Sequence, residues 1–525
     1  MNKRFVNKFI LGITFAFLLS PHNASALTLD WAGYFRADHT FIHNYQMDKT
    51  SPGYSNAGLG GEYIPGQGKK STTYSGVFMK LKPRALVNDN VIVLSEWNVG
   101  DPVYGFFGRG VPQEDRNNPF STQKDGMTLN VARLWLDVQT DFGTIQVGRA
   151  PFHWGLGVIF NSGDRPFDRY QSTSDTIRLV SKFGYLSLMP IYAKNSMGRN
   201  LAGARNPFSD AILQGSDDVT DYGLGLKYEN PEEDLEGGAL YYKRNANDAQ
   251  NSYYYPGGQA TYLGGSNGMN LKLLNLYAKK SWRRVELGAE LPIYSGEIGD
   301  VNGVGERNTY KATSIAVETA LKYDTWKHSL KFGSAPGQSP TTSGAANRGR
   351  AFGAMQFHRA YKLGQILFNY NLGNFGAVNP DPIPVNTAGT AAAPGVGAVN
   401  PATVSPYDAA ITNAKYVMLS SEKRWEQWGL NFGLVWAKAN QTAKAGKDVY
   451  NHRTRTYFTS VADQSDNLGI EADIGTRYNW DDNISFGADL GMLFPGDYFK
   501  YVNSASKQNP ANTVTALSFT ATTVF

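Results

Sequence analysis

The amino-acid sequence predicts an all-β chain, a transmembrane antiparallel barrel of about 18 strands, within a range of roughly 16 to 20. Three observations carry that prediction. Apolar and polar residues alternate with period two in segment after segment, while helical spacing is nearly missing. Tight turns and long polar stretches take turns in joining these segments. The chain ends on ALSFTATTVF, residues 516–525, a regular strand pattern at a place where soluble domains usually fray.

The first residues set the compartment. Lys3, Arg4 and Lys8 precede an apolar run from Phe9 to Leu19, and Ala24-Ser25-Ala26 follows as a small-x-small cleavage signal. The run is too short to span a bilayer, so residues 1–26 read as a secretory signal cleaved after Ala26. Residues 27–525 then form a single barrel. Lysine and arginine number 50 against 45 acidic residues, a near-balance that argues against a nucleic-acid partner. Cysteine is absent, which excludes a disulfide framework, thiol catalysis, iron–sulfur ligation and a lipid-modified cysteine. The 30 tyrosines and 56 glycines suit many strands joined by turns.

Each strand pattern has one apolar and one charged face. LTLDWAGYFRADHTF (27–41) sets Leu27, Leu29, Trp31, Phe35 and Phe41 against Asp30, Arg36 and Asp38. VFMKLKPRALV (77–87) sets Val77, Met79, Leu81, Ala85 and Val87 against Lys80, Lys82 and Arg84. VELGAELPI (285–293) opposes its apolar residues to Glu286 and Glu290, and LGIEADIGTRY (468–478) opposes its own to Glu471, Asp473 and Arg477. ISFGADLGMLF (484–494) repeats the scheme with Asp489, and Leu517, Phe519, Ala521 and Phe525 share one side of the last strand. A soluble sandwich and a membrane barrel both show such faces. The connections separate them.

Short turns fall at Asn88-Asp89, Asp141 to Gly143, Phe183-Gly184, Pro231 to Asp234, Ser281-Trp282, Asp324 to Trp326, Glu426-Gln427 and Asp481-Asp482. Long polar stretches lie between, the longest from 336 to 414. Outer-membrane barrels have short periplasmic turns and long extracellular loops. Strand starts fall near 27, 75, 90, 128, 144, 175, 185, 219, 235, 270, 283, 310, 327, 415, 428, 467, 484 and 513. The count is even, as closure with both termini on one side requires, provided that 336–414 is one connection. Trp282, Trp326, Trp425, Trp428 and Trp480 lie at or beside the short turns, where a periplasmic aromatic girdle belongs.

The ending resembles that of Gram-negative outer-membrane proteins, whose last strand commonly finishes in phenylalanine and is read by the barrel-assembly machinery. Phe525 fits, while Thr523 stands where those proteins often carry a further aromatic. The stretch LGIEADIGTRYNWDDNISFGADLGMLFPGDYF (468–499) is similar to the Glu-x-Asp strand, hairpin and Phe-Pro-Gly ending of the alginate-export-like porin family. FHRAYKLGQILFN (357–369) resembles a loop segment of the same broad group. Membership would imply an 18-stranded monomeric channel, sometimes for anionic polysaccharide. A homotrimer stays open, because a trimer interface and a lipid-facing wall are both apolar.

The expected function is a porin, an aqueous channel for passive diffusion of ions and small hydrophilic solutes. Lys80, Lys82, Arg84, Arg133, Arg149 and Arg178 would form a basic lumen wall. Glu286, Glu290 and Glu318 would face it, with Glu471, Asp473 and Asp489 near the seam. Opposed walls set up a transverse field that orients polar solutes, while solvated, ion-paired lumen residues are the plainer reading. In the 336–414 connection, the low-complexity stretch 386–406 cannot bury a core. Tyr361, Ile366, Leu367, Phe368 and Tyr370 form an apolar cluster, either a short helix or strand constricting the channel or a surface loop. A loop-plugged barrel acting as a surface structure or receptor is the alternative function. Partners would be outer-membrane lipid and lipopolysaccharide.

No enzyme and no cofactor are expected. His39 lies on strand one, on the lipid-facing parity, and His153 sits in GRAPFHWGLG; His43 carries no motif. His328, His358 and His452 add no paired metal spacing. Asp217, Asp218 and Asp221 make at most a weak calcium loop.

Overall fold

The structure is a computed structural model and describes residues 28–44, 47, 71–107, 127–196, 219–246, 269–298, 307–370, 372, 409–451, 456–501, 508 and 511–525. The signal segment with Ala26, the stretch 386–406, His452, Asp217 and Asp218 lie outside them. The strands are β1 (Thr28–His43), β2 (Ser71–Asn88), β3 (Val91–Val99), β4 (Leu129–Thr140), β5 (Gly143–Pro151), β6 (Thr173–Phe183), β7 (Leu186–Ser196), β8 (Val219–Asn230) and β9 (Leu235–Ala246). They continue as β10 (Met269–Ser281), β11 (Val285–Ile298), β12 (Asn308–Thr313), β13 (Ile315–Tyr323), β14 (Trp326–Ala335), β15 (Thr341–Thr342), β16 (Ala351–Phe352) and β17 (Ala414–Trp425). The last are β18 (Trp428–Ala439), β19 (Lys447–Asn451), β20 (Thr456–Thr459), β21 (Asn467–Asn479), β22 (Ile484–Pro495) and β23 (Val514–Val524).

Eighteen of these make the barrel wall, because β12 and β13 are one strand broken at Ser314 and both pair with β11. Each wall strand pairs antiparallel with its neighbours in sequence, and β23 returns to β1 from Tyr34↔Val524 to His43↔Thr515. Closure leaves no edge to expose unpaired backbone groups. Phe525 completes the seam: its N–H donates to the Gly33 oxygen at 3.1 Å and its carbonyl accepts from the Gly33 N–H at 2.8 Å. Three short strands, β15, β19 and β20, form a separate small sheet, and β16 adds a parallel bridge to β12.

The tight turns have local causes. Asp481 caps the β21–β22 turn, its carboxylate accepting from Asn483 N–H at 2.8 Å and Ile484 N–H at 2.7 Å. Asp324 and Glu426 adopt positive φ (54° and 47°), the backbone that two-residue hairpins favour, and Asp234 does so (48°) at the end of the four-residue β8–β9 turn.

The faces sort as the period-two pattern predicts. Phe35, Phe41, Leu224, Leu226, Leu434, Phe486 and Phe519 are exposed on the outside, while Arg36, Lys80, Glu96, Arg133, Glu290 and Glu471 are buried on the inside. An apolar exterior round a charged interior inverts a soluble protein and is what a lipid environment demands.

Candidate functional site

Two connections fold into the barrel at the end that bears the long loops. The first, residues 152–172, links β5 to β6; the second is the part of the β14–β17 connection from 353 to 372. Neither is held chiefly by its own secondary structure. Wall side chains hold them through backbone groups.

Cations of the wall take carbonyl oxygens. Arg133, 0% exposed, donates to the Ser162 oxygen at 2.6 Å and the Ser172 oxygen at 2.9 Å, and its Nη1 meets both Glu96 oxygens at 3.0 Å. Arg36 donates to the Pro166 oxygen at 2.6 Å and to the Pro102 oxygen. Lys80 joins Glu96 at 3.3 Å and the side-chain Oε1 of Gln171 at 3.1 Å, while Arg178 reaches the oxygen of Pro151 at 3.2 Å, at the end of β5 where the segment begins. Reciprocally, the segment's own Arg169 donates to Asp38 on β1 at 2.6 Å.

Carboxylates of the wall take N–H groups. Glu290 on β11 accepts from Leu156 at 2.7 Å and Val158 at 3.2 Å, and Asn275 steadies its other oxygen at 2.8 Å. Glu471 on β21 accepts from Ile366 at 2.7 Å and Leu367 at 2.6 Å. Each carboxylate has a glycine against it. Gly155 has φ +59°, and a Cβ there would lie 2.7 Å from Glu290 Oε2; a Cβ on Gly364 would collide with the Glu471 carboxylate. Only glycine lets these backbones come so close.

Apolar contacts complete the seating. Phe357, Tyr361, Leu363, Ile366, Leu367, Phe368, Tyr370 and Leu372 are buried against inward residues of the wall such as Ile42, Val435, Leu493, Val514 and Ala516. Of the two alternatives for this cluster the helix or strand does not form: residues 357–370 are turns and irregular backbone, packed on the inner wall. Their amides bond to the wall instead of to a ladder. Phe152 and Trp154 pack likewise on Ile191, Leu240, Leu273 and Tyr277.

Of the proposed basic wall, Lys80, Arg133 and Arg178 face inward and are buried, and Lys82 lies 3.9 Å from Glu96 and 3.5 Å from Asp164. Arg84 pairs with Asp30 at the turn-bearing end. Arg149 corrects the expectation. Its register partners are Leu134 and Asp175, on the face that carries exposed Leu134, Val147 and Ile177, so it points outward. There it pairs with Asp175 at 2.6 Å. Parity within β5 decides this: Gln146, not Arg149, shares the inner face with Arg178.

Of the acidic residues, Glu286 bonds Lys322 at 2.5 Å, Glu318 pairs with Lys331 at 2.9 Å, and Asp473 lies 3.4 Å from Gln365 N. Asp489 is partly buried on the inner face of β22. The sequence reading omitted Glu96, Arg169 and Asn275. Glu96 is the one charge on β3, whose inner face also carries Ile92 and Leu94, so both faces of that strand look apolar; the extra residue of the nearby register shift, Ala132, lies on β4. Asp221 is engaged by Arg244 at 2.8 Å and Tyr242 at 2.9 Å. Among the described residues no cluster of three or more metal-ligating side chains occurs.

Trp282, Trp326, Trp425, Trp428 and Trp480 all stand at the turn-bearing end, four of them exposed and Trp326 partly so. At the opposite end, between β9–β12 and the infolded segments, lies a cavity of about 330 Å³. Tyr242, Arg244, Met269, Tyr294, Tyr310 and Tyr450 line it.

No protein-family model matches the chain, and no curated protein matches it either. Solved structures do. OccK9 (OpdG) of Pseudomonas aeruginosa has a TM-score of 0.44 at 9% identity, over 94% of this chain and 99% of that one. OccAB2 of Acinetobacter baumannii gives 0.44 at 10%, over 94% and 98%. OpdK of P. aeruginosa, crystallised with vanillate, gives 0.44 at 10%, over 94% and 99%.

Proposed function

We propose that the chain is an integral outer-membrane porin through which ions and small hydrophilic solutes diffuse, with segments 152–172 and 353–372 as its constriction. One observation carries the reading. At the turn-bearing end, ionised side chains on the inner face stay open to water: Arg84 and Asp30 have side chains 56% and 54% exposed. Lys322 and Lys327, beside Glu286, are similarly open. An interior serving only as a core would not leave them so. A wet inner half below a narrowed outer half is the anatomy of a selective channel. Charges of both signs remain along it, so the sign of selectivity follows from neither wall alone.

The depth at which residues 357–370 and Leu372 are buried favours a second reading, a barrel plugged by its loops and serving as a surface structure or receptor. The alginate-export-like resemblance supplies a third, passage of an anionic polysaccharide, which requires the segments to move aside. In all three the tryptophans at the turn end act as the periplasmic girdle and Phe525 as the signal for the assembly machinery.

Planar-bilayer conductance of residues 27–525 decides between these. Stable steps in potassium chloride support the channel, and a reversal potential under a salt gradient gives its selectivity. A folded but silent barrel shifts the function to the plugged reading.

A further inference from the structure

Outside the barrel, at the loop-bearing end, the charge is unevenly distributed. Outward positions of β5, β7, β9, β10, β12, β17 and β18 carry Arg149, Lys194, Lys243, Lys272, Lys311, Lys415 and Lys438. Each stands at its strand's outer end, two residues beyond another outward position: Tyr192 below Lys194, Tyr241 below Lys243, Leu274 below Lys272, Trp436 below Lys438. Two residues of strand rise about 6–7 Å. The ammonium groups therefore stand just above the apolar band, at headgroup level.

Three outward carboxylates share this rim, and each has its own cation. Asp175 pairs with Arg149 at 2.6 Å, Asp466 with Lys438 at 3.5 Å, and Glu297 with Arg307 at 3.8 Å. Lys243, Lys272, Lys311 and Lys415 have no carboxylate within ion-pair distance among the described residues. Moreover Lys243 stands directly opposite Lys272, and Lys415 directly opposite Lys438. Ser295 faces both Lys272 and Lys311, so three lysines follow one another round the wall. Like charges opposed across an antiparallel pair are destabilising unless an anion lies between them. The remaining arc, β21 to β23 and β1 to β4, has no lysine, arginine, aspartate or glutamate on its outer face among the described residues.

We infer that this half-girdle is a binding surface for the phosphate groups of a phosphorylated glycolipid in the outer leaflet. Its acyl chains lie on the apolar band, and its phosphates bridge Lys243 with Lys272 and approach Lys311 and Lys415. The inference rests on the membrane-barrel fold and the lipid-facing side of the wall, not on conduction.

The test uses the full barrel in detergent, with bisphosphorylated lipid A and the same lipid after dephosphorylation as probes, read by native mass spectrometry. The wild-type barrel should retain the bisphosphorylated lipid, and binding should weaken at least tenfold on dephosphorylation. The quadruple variant Lys243→Gln, Lys272→Gln, Lys311→Gln, Lys415→Gln should weaken it as much, while the same four positions changed to arginine should keep it. Equal binding of the dephosphorylated lipid, or unchanged binding by the glutamine variant, overturns the proposal. Should the glutamine variant fail to form a heat-modifiable barrel, salt decides. Binding to the wild-type barrel must fall steeply between 0.1 M and 1 M salt, as phosphate contacts do, and a flat response also overturns it.

Discussion

The backbone N–H of His358 donates to the carbonyl oxygen of Val158 at 2.6 Å, and at that bond the two infolded segments meet. It is the middle link of a path across the barrel. Glu290 holds Leu156 and Val158, Val158 holds His358, and Glu471 holds Ile366 and Leu367 farther along the same segment. Each carboxylate is thus a clamp on backbone amides. Each such bond contributes about 0.5–1.5 kcal/mol, and taking its acceptor away leaves a buried N–H unsatisfied at about 1–3 kcal/mol, so a clamp of two offsets the ordering of only a few residues and acts together with the apolar packing. Glu471→Ala should free residues 364–368 from the wall and raise single-channel conductance, with more noise in the open level. An unaltered current trace, from a barrel that still folds, would mean that the packing alone holds the segment.

Removing the segment is the stronger form of the same perturbation. Deleting residues 340–410 takes away the Phe357–Tyr370 cluster and leaves Glu471, Val435 and Leu493 facing an emptier lumen. Single-channel conductance should rise above that of Glu471→Ala. An unchanged value would refute the assignment of this segment as the constriction.

Acid should loosen the meeting point. Burial pushes the His358 imidazole down to about 4, with Arg359, His153 and Lys362 adding to the effect, and its Nδ1 accepts from Ala360 N–H at 3.1 Å. A released His358 would titrate near its ordinary value of about 6.5. Between these values the released state binds more protons, so the seated state is favoured fully above about pH 6.5. It loses on the order of 3 kcal/mol as pH falls towards 4. Conductance should therefore rise on acidification through that window, and His358→Gln should flatten the change. If the glutamine variant keeps the full pH response, another group carries it.

The outward position of Arg149 gives a contrast within the predicted basic wall. Arg149→Gln removes a charge from the lipid side and should leave the reversal potential under a salt gradient where it was. Arg84→Gln removes one from the water-exposed inner face, beside Asp30, and should shift that potential towards cation selectivity. A shift from Arg149→Gln equal to that from Arg84→Gln would contradict the register of β5 and β6.

How far the sequence could be read follows from which contacts are local. Strand period, turn residues and the parity of the count depend on neighbours in the chain, and the 18 wall strands begin close to where the alternation puts them. Orientation fails where the pattern is thin. β5 has no clear run of alternating charge, and Arg149 shares the parity of the apolar Ile145 and Val147 rather than that of Gln146. The clamps are illegible for another reason. Glu290 and Glu471 look like any inward carboxylate, and their partners are amides of segments 132 and 105 residues away. The signal available was the glycine in HWGLG and in KLGQIL, a residue that permits close approach without saying to what.

The seam carries the last prediction. Phe525 bonds through both backbone groups to Gly33, and its ring lies over that glycine, where a side chain would meet it at 3.0 Å. The terminal residue is thus the last rung of the β1–β23 ladder and covers a gap in the outer face of β1. Deleting Phe525 removes two backbone hydrogen bonds and the ring, each bond contributing about 0.5–1.5 kcal/mol. That is modest beside the ten register pairs that remain from Tyr34↔Val524 to His43↔Thr515, so a barrel refolded in detergent should lose only a little thermal stability. Its yield in the outer membrane of expressing cells should fall much further if the assembly machinery reads the terminal aromatic. Comparing heat-modifiable barrel from refolding with that from membranes separates the two roles. Equal losses in both would reduce Phe525 to a closing residue of the seam.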